Sequence, residues 1–188
     1  MGSGEVAIGR RVVVTGLAGS GKSTFSCSLA AKTGLPAVPV DLHYWKPGWV
    51  ASTPEEWREK QRQVLAGDGW IADGNYHETL ALRLERADTV VIMNTPWLVC
   101  LGSALVRGVH RPGVQMPEGC EESAWRRLRD EWGVAWRAFR KRGWEPQLER
   151  QIISQHGQHA ALPVLASKAE VTEFLNRVRV VRVPATEP

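Results

Sequence analysis

Arg11-Val-Val-Val-Thr15 runs straight into Gly16-Leu17-Ala18-Gly19-Ser20-Gly21-Lys22-Ser23-Thr24, and this stretch decides the fold. The opening segment is short, β-branched and bounded by glycine, the pattern of a strand buried in a parallel sheet. The segment after it matches G-x-x-x-x-G-K-[ST] at Gly16, Gly21, Lys22 and Ser23. Glycines at these positions let backbone N–H groups turn inward and approach phosphate oxygens closely. A helix is predicted from Lys22 to Thr33, ending at the C-cap Gly34, and its N-terminus adds partial positive charge at the loop. The expected phosphate-binding set is therefore Gly16, Ala18, Gly19, Ser20, Gly21, Lys22, Ser23 and Thr24. Lys22 is expected to reach the β- and γ-phosphates of ATP or GTP as the catalytic cation, and the Ser23 hydroxyl to bind Mg²⁺.

Outward from this loop, strands and helices alternate. Further strands are predicted at Leu35–Val40, Trp70–Ala72, Asp88–Met93 and Leu162–Ala166. Pro36 and Pro39 restrict the first of these to a short or edge position. Helices are predicted from Thr53 to about Ala66, Trp97 to Arg107, Glu121 to Arg142, and Lys168 to Arg179. Thr53, Pro54 and Glu56 spell a capping box with proline at the first helical position. On the long helix, Trp125, Leu128, Trp132, Ala135, Trp136 and Phe139 form an apolar stripe read as core, opposite Arg126, Arg129, Arg137 and Arg140. The fold class is α/β, a P-loop NTPase with a five-stranded parallel sheet covered by helices on both faces. One domain is expected over 11–183, with a lid around 107–130 and flexible tails at 1–10 and 184–188.

Composition narrows the function class. At 188 residues the chain suits one full-sized core. No apolar run approaches the roughly 18 residues of a membrane helix. The three cysteines, Cys27, Cys100 and Cys120, are widely spaced, which fits buried or half-buried thiols in a reducing cytoplasm. Net charge is +4, of which residues 107–150 carry +3 from ten Lys/Arg against seven Asp/Glu. That modest excess suits phosphate handling and argues against nucleic acid as the main partner. The oligomeric state is left open.

Two carboxylates stand at strand ends, where ligands of open α/β sheets bind. Asp73 is expected to organise Mg²⁺, and Asp41 to orient or deprotonate an acceptor hydroxyl as a catalytic residue. His43, Tyr44, Trp45 and Trp49 follow Asp41 closely, and aromatic faces stack on sugars and bases. His43 and Trp45 are accordingly expected to line the acceptor site. A turn or cap role for either aspartate, and plain packing for the tryptophans, are the alternatives. A guanine-reading N-K-x-D tetrapeptide is missing, since the fourth strand runs into Asn94-Thr95-Pro96-Trp97. A regulatory GTPase is a poor fit, and the small kinases remain.

Four blocks carry a family resemblance: the P-loop, Asp41 to Trp49, Trp70-Ile-Ala-Asp-Gly-Asn-Tyr76, and Leu82-Arg83-Leu84 with Arg86-Ala87-Asp88. Through them the chain resembles adenylate-kinase-like P-loop proteins known as DNA topology modulation (FlaR-like) proteins. The resemblance implies a nucleoside-monophosphate-kinase-like fold with a mobile arginine-bearing lid, and acceptor-side roles for Tyr76 and Arg83. Arg126, or its neighbours Arg127 and Arg129, would then reach the γ-phosphate on lid closure; a solvated helix face is the alternative. The second half departs from the family pattern. Asn94 and Trp97 stand where an Asp-x-Pro-Arg type sequence is usual, and the 107–116 segment has fewer arginines. Losing arginine removes a bidentate phosphate clamp. The expected reaction is therefore transfer of the γ-phosphoryl of ATP or GTP to a hydroxyl of a nucleoside- or sugar-containing molecule, with antibiotic inactivation as an analogy. A nucleoside monophosphate kinase is the runner-up, and a nucleotide-dependent nucleic-acid-binding regulator the third reading.

Overall fold

In a computed structural model, residues 5–109, 118, 120, 133, 136, 139 and 145–181 are described. The predicted lid, 107–130, lies almost wholly outside the described residues, as do Arg126, Arg127, Arg129, Trp125, Trp132 and the tail 184–188.

The central sheet has five parallel strands: β2 (Arg11–Gly16), β3 (Ala37–Pro39), β6 (Trp70–Asp73), β7 (Thr89–Met93) and β8 (Val164–Leu165). Their order across the sheet is β3-β6-β2-β7-β8. The proline-bearing strand takes an edge, where a missing N–H interrupts no inner ladder. From the central β2 the chain goes first to one side and later to the other. This reversal opens a crevice at the carboxyl ends of the middle strands. Register sets what faces it: Asp73 is level with Val14 on one side and Pro39 on the other, and Gly16 with Met93.

Alternate residues of the sheet feed two cores. Val13, Ala72 and Val90 pack with Trp57 of α3 (Pro54–Val64), Leu80 and Leu84 of α4 (Leu80–Leu84), and Ile153 of α6 (Glu145–His156). Val12, Val14, Ile71 and Val91 pack with Phe25 and Leu29 of α1 (Lys22–Thr33) and Phe174 of α7 (Lys168–Arg177). Both faces of the sheet are thus covered. This explains why β2 reads as an unbroken apolar run rather than an alternating one.

Local signals hold where they were strongest. Helix α1 ends on left-handed Gly34, whose N–H donates to the Ala30 carbonyl. Thr53 accepts from the Glu56 N–H while the Glu56 carboxylate accepts from the Thr53 N–H, closing the capping box. At the root of the sheet, Asp88 accepts from the backbone N–H groups of Arg10 and Arg11 and from the Arg11 guanidinium at 2.6 Å.

Several expectations need correction. Val6–Ile8, assigned to the tail, forms strand β1 and pairs in parallel with β9 (Val178–Val180). Helix α7 therefore stops at Arg177, because Val178-Arg-Val180 gains a ladder partner from the other end of the chain. Trp136 is 60 % exposed and stacks on Phe139, so the stripe is not uniformly core. Cys27 is exposed, Cys100 and Cys120 are buried, and all three are free thiols. Helix α5 (Trp97–Val109) follows β7 as expected. Among the described residues no helix is long and apolar enough to cross a membrane.

Candidate active site

The turn from β2 into α1 depends on three left-handed glycines. Gly16, Gly19 and Gly21 have φ of 136°, 84° and 91°, where a side chain is strained. At the first two, close approach forbids one as well: a Cβ would collide with the Met93 carbonyl at Gly16 and with the Cys100 carbonyl at Gly19. Gly21 is the N-cap of α1, and its surroundings are open. Ala18 and Gly19 are half-buried, Ser20 is buried, and Ser23 and Thr24 are exposed at the start of α1. Thr95, after β7, donates to the Ser20 carbonyl at 3.3 Å and so braces the loop from the neighbouring strand. Lys22 folds its Nζ back onto the carbonyls of Gly16 and Leu17, at 2.6 and 2.9 Å. The ammonium is therefore already held over the loop that the sequence assigns to phosphates.

Asp73 ends β6 with only 4 % of its surface exposed. Burial pushes its carboxyl above the usual carboxylate range; a hydrogen bond with Ser23 opposes the shift, Asp41 adds to it, and Lys22 again opposes it. One carboxylate oxygen, Oδ1, is buried with no hydrogen-bond partner. A desolvated, under-satisfied carboxylate next to a serine hydroxyl is a donor set that suits a hard, oxygen-seeking cation. Ser23 and Asp73, expected to hold Mg²⁺, thus fit that ion.

Asp41 sits in the first turn of α2 (Val40–Tyr44), a short helix directly after β3, and is exposed. Its Oδ1 lies 3.6 Å from where a Cβ on Gly74 would stand, so the two strand ends meet. Gly74 has φ of 140°, and a Cβ there would strike Val40, which explains the glycine after Asp73. Tyr76 is half-buried; burial raises the pKa of its hydroxyl, and the negative charge of Asp41 raises it further. Tyr76 packs with Tyr44 and Trp57 at centroid distances of 4.7 and 5.0 Å, which fixes the ring carrying that hydroxyl. Asp41, Asp73, Lys22, Ser23 and Tyr76 therefore converge.

The remaining expected acceptor residues are Arg83, His43 and Trp45. Arg83 is fully buried and donates to the carbonyls of Gly74, Asn75 and Tyr76 at 2.6, 3.1 and 3.2 Å. Its full burial beneath the 74–76 backbone leaves it no surface to offer a substrate, which corrects its assignment as a substrate contact. Burial pushes the guanidinium down to about 10, still charged at neutral pH, with Asp41, Glu149 and Asp73 opposing the shift. His43 and Trp45 line a cavity of about 480 Å³ together with Leu42, Lys46, Glu56, Lys60 and Glu118. Burial and then Lys60 lower the His43 pKa, so that imidazole is neutral near pH 7. Trp45 and Lys46 belong to β4 (Trp45–Lys46), which pairs with β5 (Val50–Ala51) in a hairpin, and Trp45 meets Trp49 edge to face at 5.8 Å.

Sequence reasoning missed Glu149. It lies on α6, 4 % exposed, and its Oε1 is 3.2 Å from His77 Nε2. No local pattern singles it out among the charged residues around it. A carboxylate so fully buried needs a cationic or hydrogen-bonding environment, which only the folded chain reveals.

With this geometry in place, the chain can be compared with known proteins. No family model matches it, and neither does any curated protein. Among solved structures, shikimate kinase from Acinetobacter baumannii in complex with shikimate superposes with a TM-score of 0.52 at 16 % identity, over 92 % of this chain and 90 % of that one. The chain shares that fold. Shikimate kinase from Bacteroides thetaiotaomicron gives 0.49 at 15 % identity, covering 89 % and 94 % of the two chains. An unliganded sugar kinase from Janibacter sp. gives 0.44 at 18 % identity, covering 90 % and 91 %.

Proposed function

We propose that this protein is a small-molecule kinase that moves the γ-phosphoryl group of ATP or GTP onto a hydroxyl of an uncharged or weakly charged, ring-containing acceptor. The observation that carries the reading is the exposed Asp41 carboxylate, set against Gly74 and close enough to Asp73 to act on its charge, at the mouth of the P-loop crevice. A carboxylate there accepts the proton of an acceptor hydroxyl as its oxygen bonds to the γ-phosphorus and the bond from that phosphorus to the bridging oxygen breaks, releasing the nucleoside diphosphate held by the P-loop amides and Lys22. Mg²⁺, held by Ser23 and Asp73, would neutralise charge on the triphosphate. The fold shared with the Acinetobacter shikimate kinase is compatible with such a reaction.

A hydroxyl is favoured over a phosphate acceptor because the acceptor-block guanidinium, Arg83, is sequestered on backbone carbonyls. A phosphate acceptor needs cations that reach it, and arginine does so bidentately. Trp45, if the acceptor extends to the hairpin, supplies a stacking face.

The test is a panel of acceptors with purified protein, MgATP and MgGTP, and mass-detected phosphate. The panel holds AMP, CMP, GMP and UMP beside nucleosides, sugars, nucleoside antibiotics and aminoglycosides. Turnover of a hydroxyl acceptor is the expected result, and turnover of an antibiotic would support a self-resistance role. Fast turnover of any monophosphate, with kcat/KM on the order of 10⁵ M⁻¹s⁻¹ or above, would replace this reading by a nucleoside monophosphate kinase.

A further inference from the structure

Between the donor loop and the acceptor carboxylate lies a buried polar cluster that the proposed chemistry leaves unused. Arg83, on α4, is fully buried and Glu149, on α6, nearly so. A guanidinium taken wholly out of water is costly unless its donors are satisfied and opposite charge is close. Here its two terminal nitrogens donate to three successive carbonyls, those of Gly74, Asn75 and Tyr76, while Nε is buried without a partner. The first of these residues, Gly74, lies against the Asp41 carboxylate, and the three follow Asp73 directly. The next residue, His77, meets Glu149 across 72 positions of sequence. The loop 74–77 is thus gripped from two helices, by Arg83 at its carbonyls and by Glu149 at the histidine ring.

Helices α4 and α6 also share apolar packing, since Leu80, Leu84 and Ile153 belong to one core. Glu149 faces the donor side as well. With Pro146, Arg150 and Ile153 it borders a cavity of about 30 Å³ whose other wall is Gly16, Leu17, Asn94 and Thr95. That volume suits one ordered water between polar walls. Glu149 therefore stands where the P-loop root, the end of β7 and the acceptor loop come together. Its negative charge also acts on Arg83, after that of Asp41.

We propose that Glu149 is a positioning residue for the acceptor side: through His77 and Arg83 it holds loop 74–77 so that the Tyr76 hydroxyl and Asp41 present one fixed geometry to the acceptor. The inference rests on the kinase reading for its kinetic consequence, and on the structure alone for its mechanical one. A carboxylate in this place that only neutralised Arg83 would affect folding stability evenly. A positioning carboxylate loosens one loop and leaves the donor site alone.

Glu149→Gln is the informative change, because it keeps the volume and a hydrogen bond to His77 while removing the charge that faces Arg83. Amide hydrogen exchange on the full chain should quicken at Asn75, Tyr76 and His77, with the β2 and β7 amides unchanged. The dissociation constant for MgATP should stay within about twofold. Acceptor kcat/KM should fall on the order of 10²-fold, as expected for a misplaced reacting group. Glu149→Asp, which keeps the charge, should recover part of that loss. If Glu149→Gln does not fold, His77→Gln probes the same contact from the other side and should quicken exchange in the same loop. Unaltered exchange at 75–77, exchange raised equally in β2 and β7, or MgATP affinity lost as steeply as acceptor turnover would each overturn the proposal. The exchange measurement needs no acceptor. Should every acceptor in the panel fail, the kinase reading falls while the exchange result still decides the linkage.

Discussion

The P-loop and the proposed acceptor crevice lie side by side, yet they are built in opposite ways. Residues 16–24 are one continuous stretch whose shape comes from backbone: left-handed glycines, a helix N-terminus and close approach to two neighbouring carbonyls. The proposed acceptor side is assembled from Asp41, Asp73 and Tyr76 with Arg83 and Glu149 buried behind them, residues drawn from five different elements or turns. Phosphate is the same in every nucleotide, so a compact backbone cradle suffices to bind it. An acceptor is particular, and its site takes side chains brought together by packing. Changes in the first region should act through one motif, and changes in the second through several partners.

The sharpest break of that contrast is Lys22→Ala. Its ammonium is held on the loop carbonyls outside the apolar core. Triphosphate-dependent turnover should fall by roughly 10³-fold or more, with the thermal transition nearly unmoved in a calorimeter. Wild-type turnover in the folded variant would remove the P-loop from the chemistry. Asp41→Asn comes next. Saturated turnover should drop by about 10²–10⁴-fold, while MgATP titration gives nearly the wild-type affinity. A loss of nucleotide binding with normal saturated turnover would move Asp41 to the donor side.

Asp73→Asn sharpens the comparison because its two effects have opposite signs. The folded-state pKa of Asp73 is raised, so ionising it costs more in the fold than in the unfolded chain. Its contribution to stability is present below the unfolded carboxyl pKa and is lost as pH rises through the folded value. At neutral pH, without Mg²⁺ or nucleotide, the neutral Asn should raise Tm. The same change should weaken MgATP binding about tenfold or more, by removing an anionic ligand. A lower Tm would mean that the bond with Ser23 outweighs the burial cost. The smallest effect belongs to Thr53→Ala, far from the crevice. Loss of the cap should cost about 1 kcal/mol by urea denaturation, with both nucleotide affinity and turnover intact.

How much of this was legible beforehand follows the range of each interaction. Gly34, the Thr53–Glu56 box and the edge position of Pro36 and Pro39 are read correctly because their physics is complete within a few residues. Val6–Ile8 is misread because its ladder partner, Val178–Val180, is at the far end of the chain. Arg83 is misread for a similar reason. An arginine in a site-like block has the chemistry of a phosphate clamp, and only its burial beneath Gly74, Asn75 and Tyr76 shows that it holds backbone instead.

The sequence alone determined the α/β class, the turn of β2 into α1 and the loop between them, because glycine conformation, helix capping and strand character are local properties of residue type. Tertiary structure alone decided that Tyr76 packs with Tyr44 and Trp57, that His43 and Trp45 line one cavity with Glu56, Lys60 and Glu118, and that Glu149 meets His77. Those pairings come from strand order and helix packing. Residue types allow many partners over such distances, and the fold selects one.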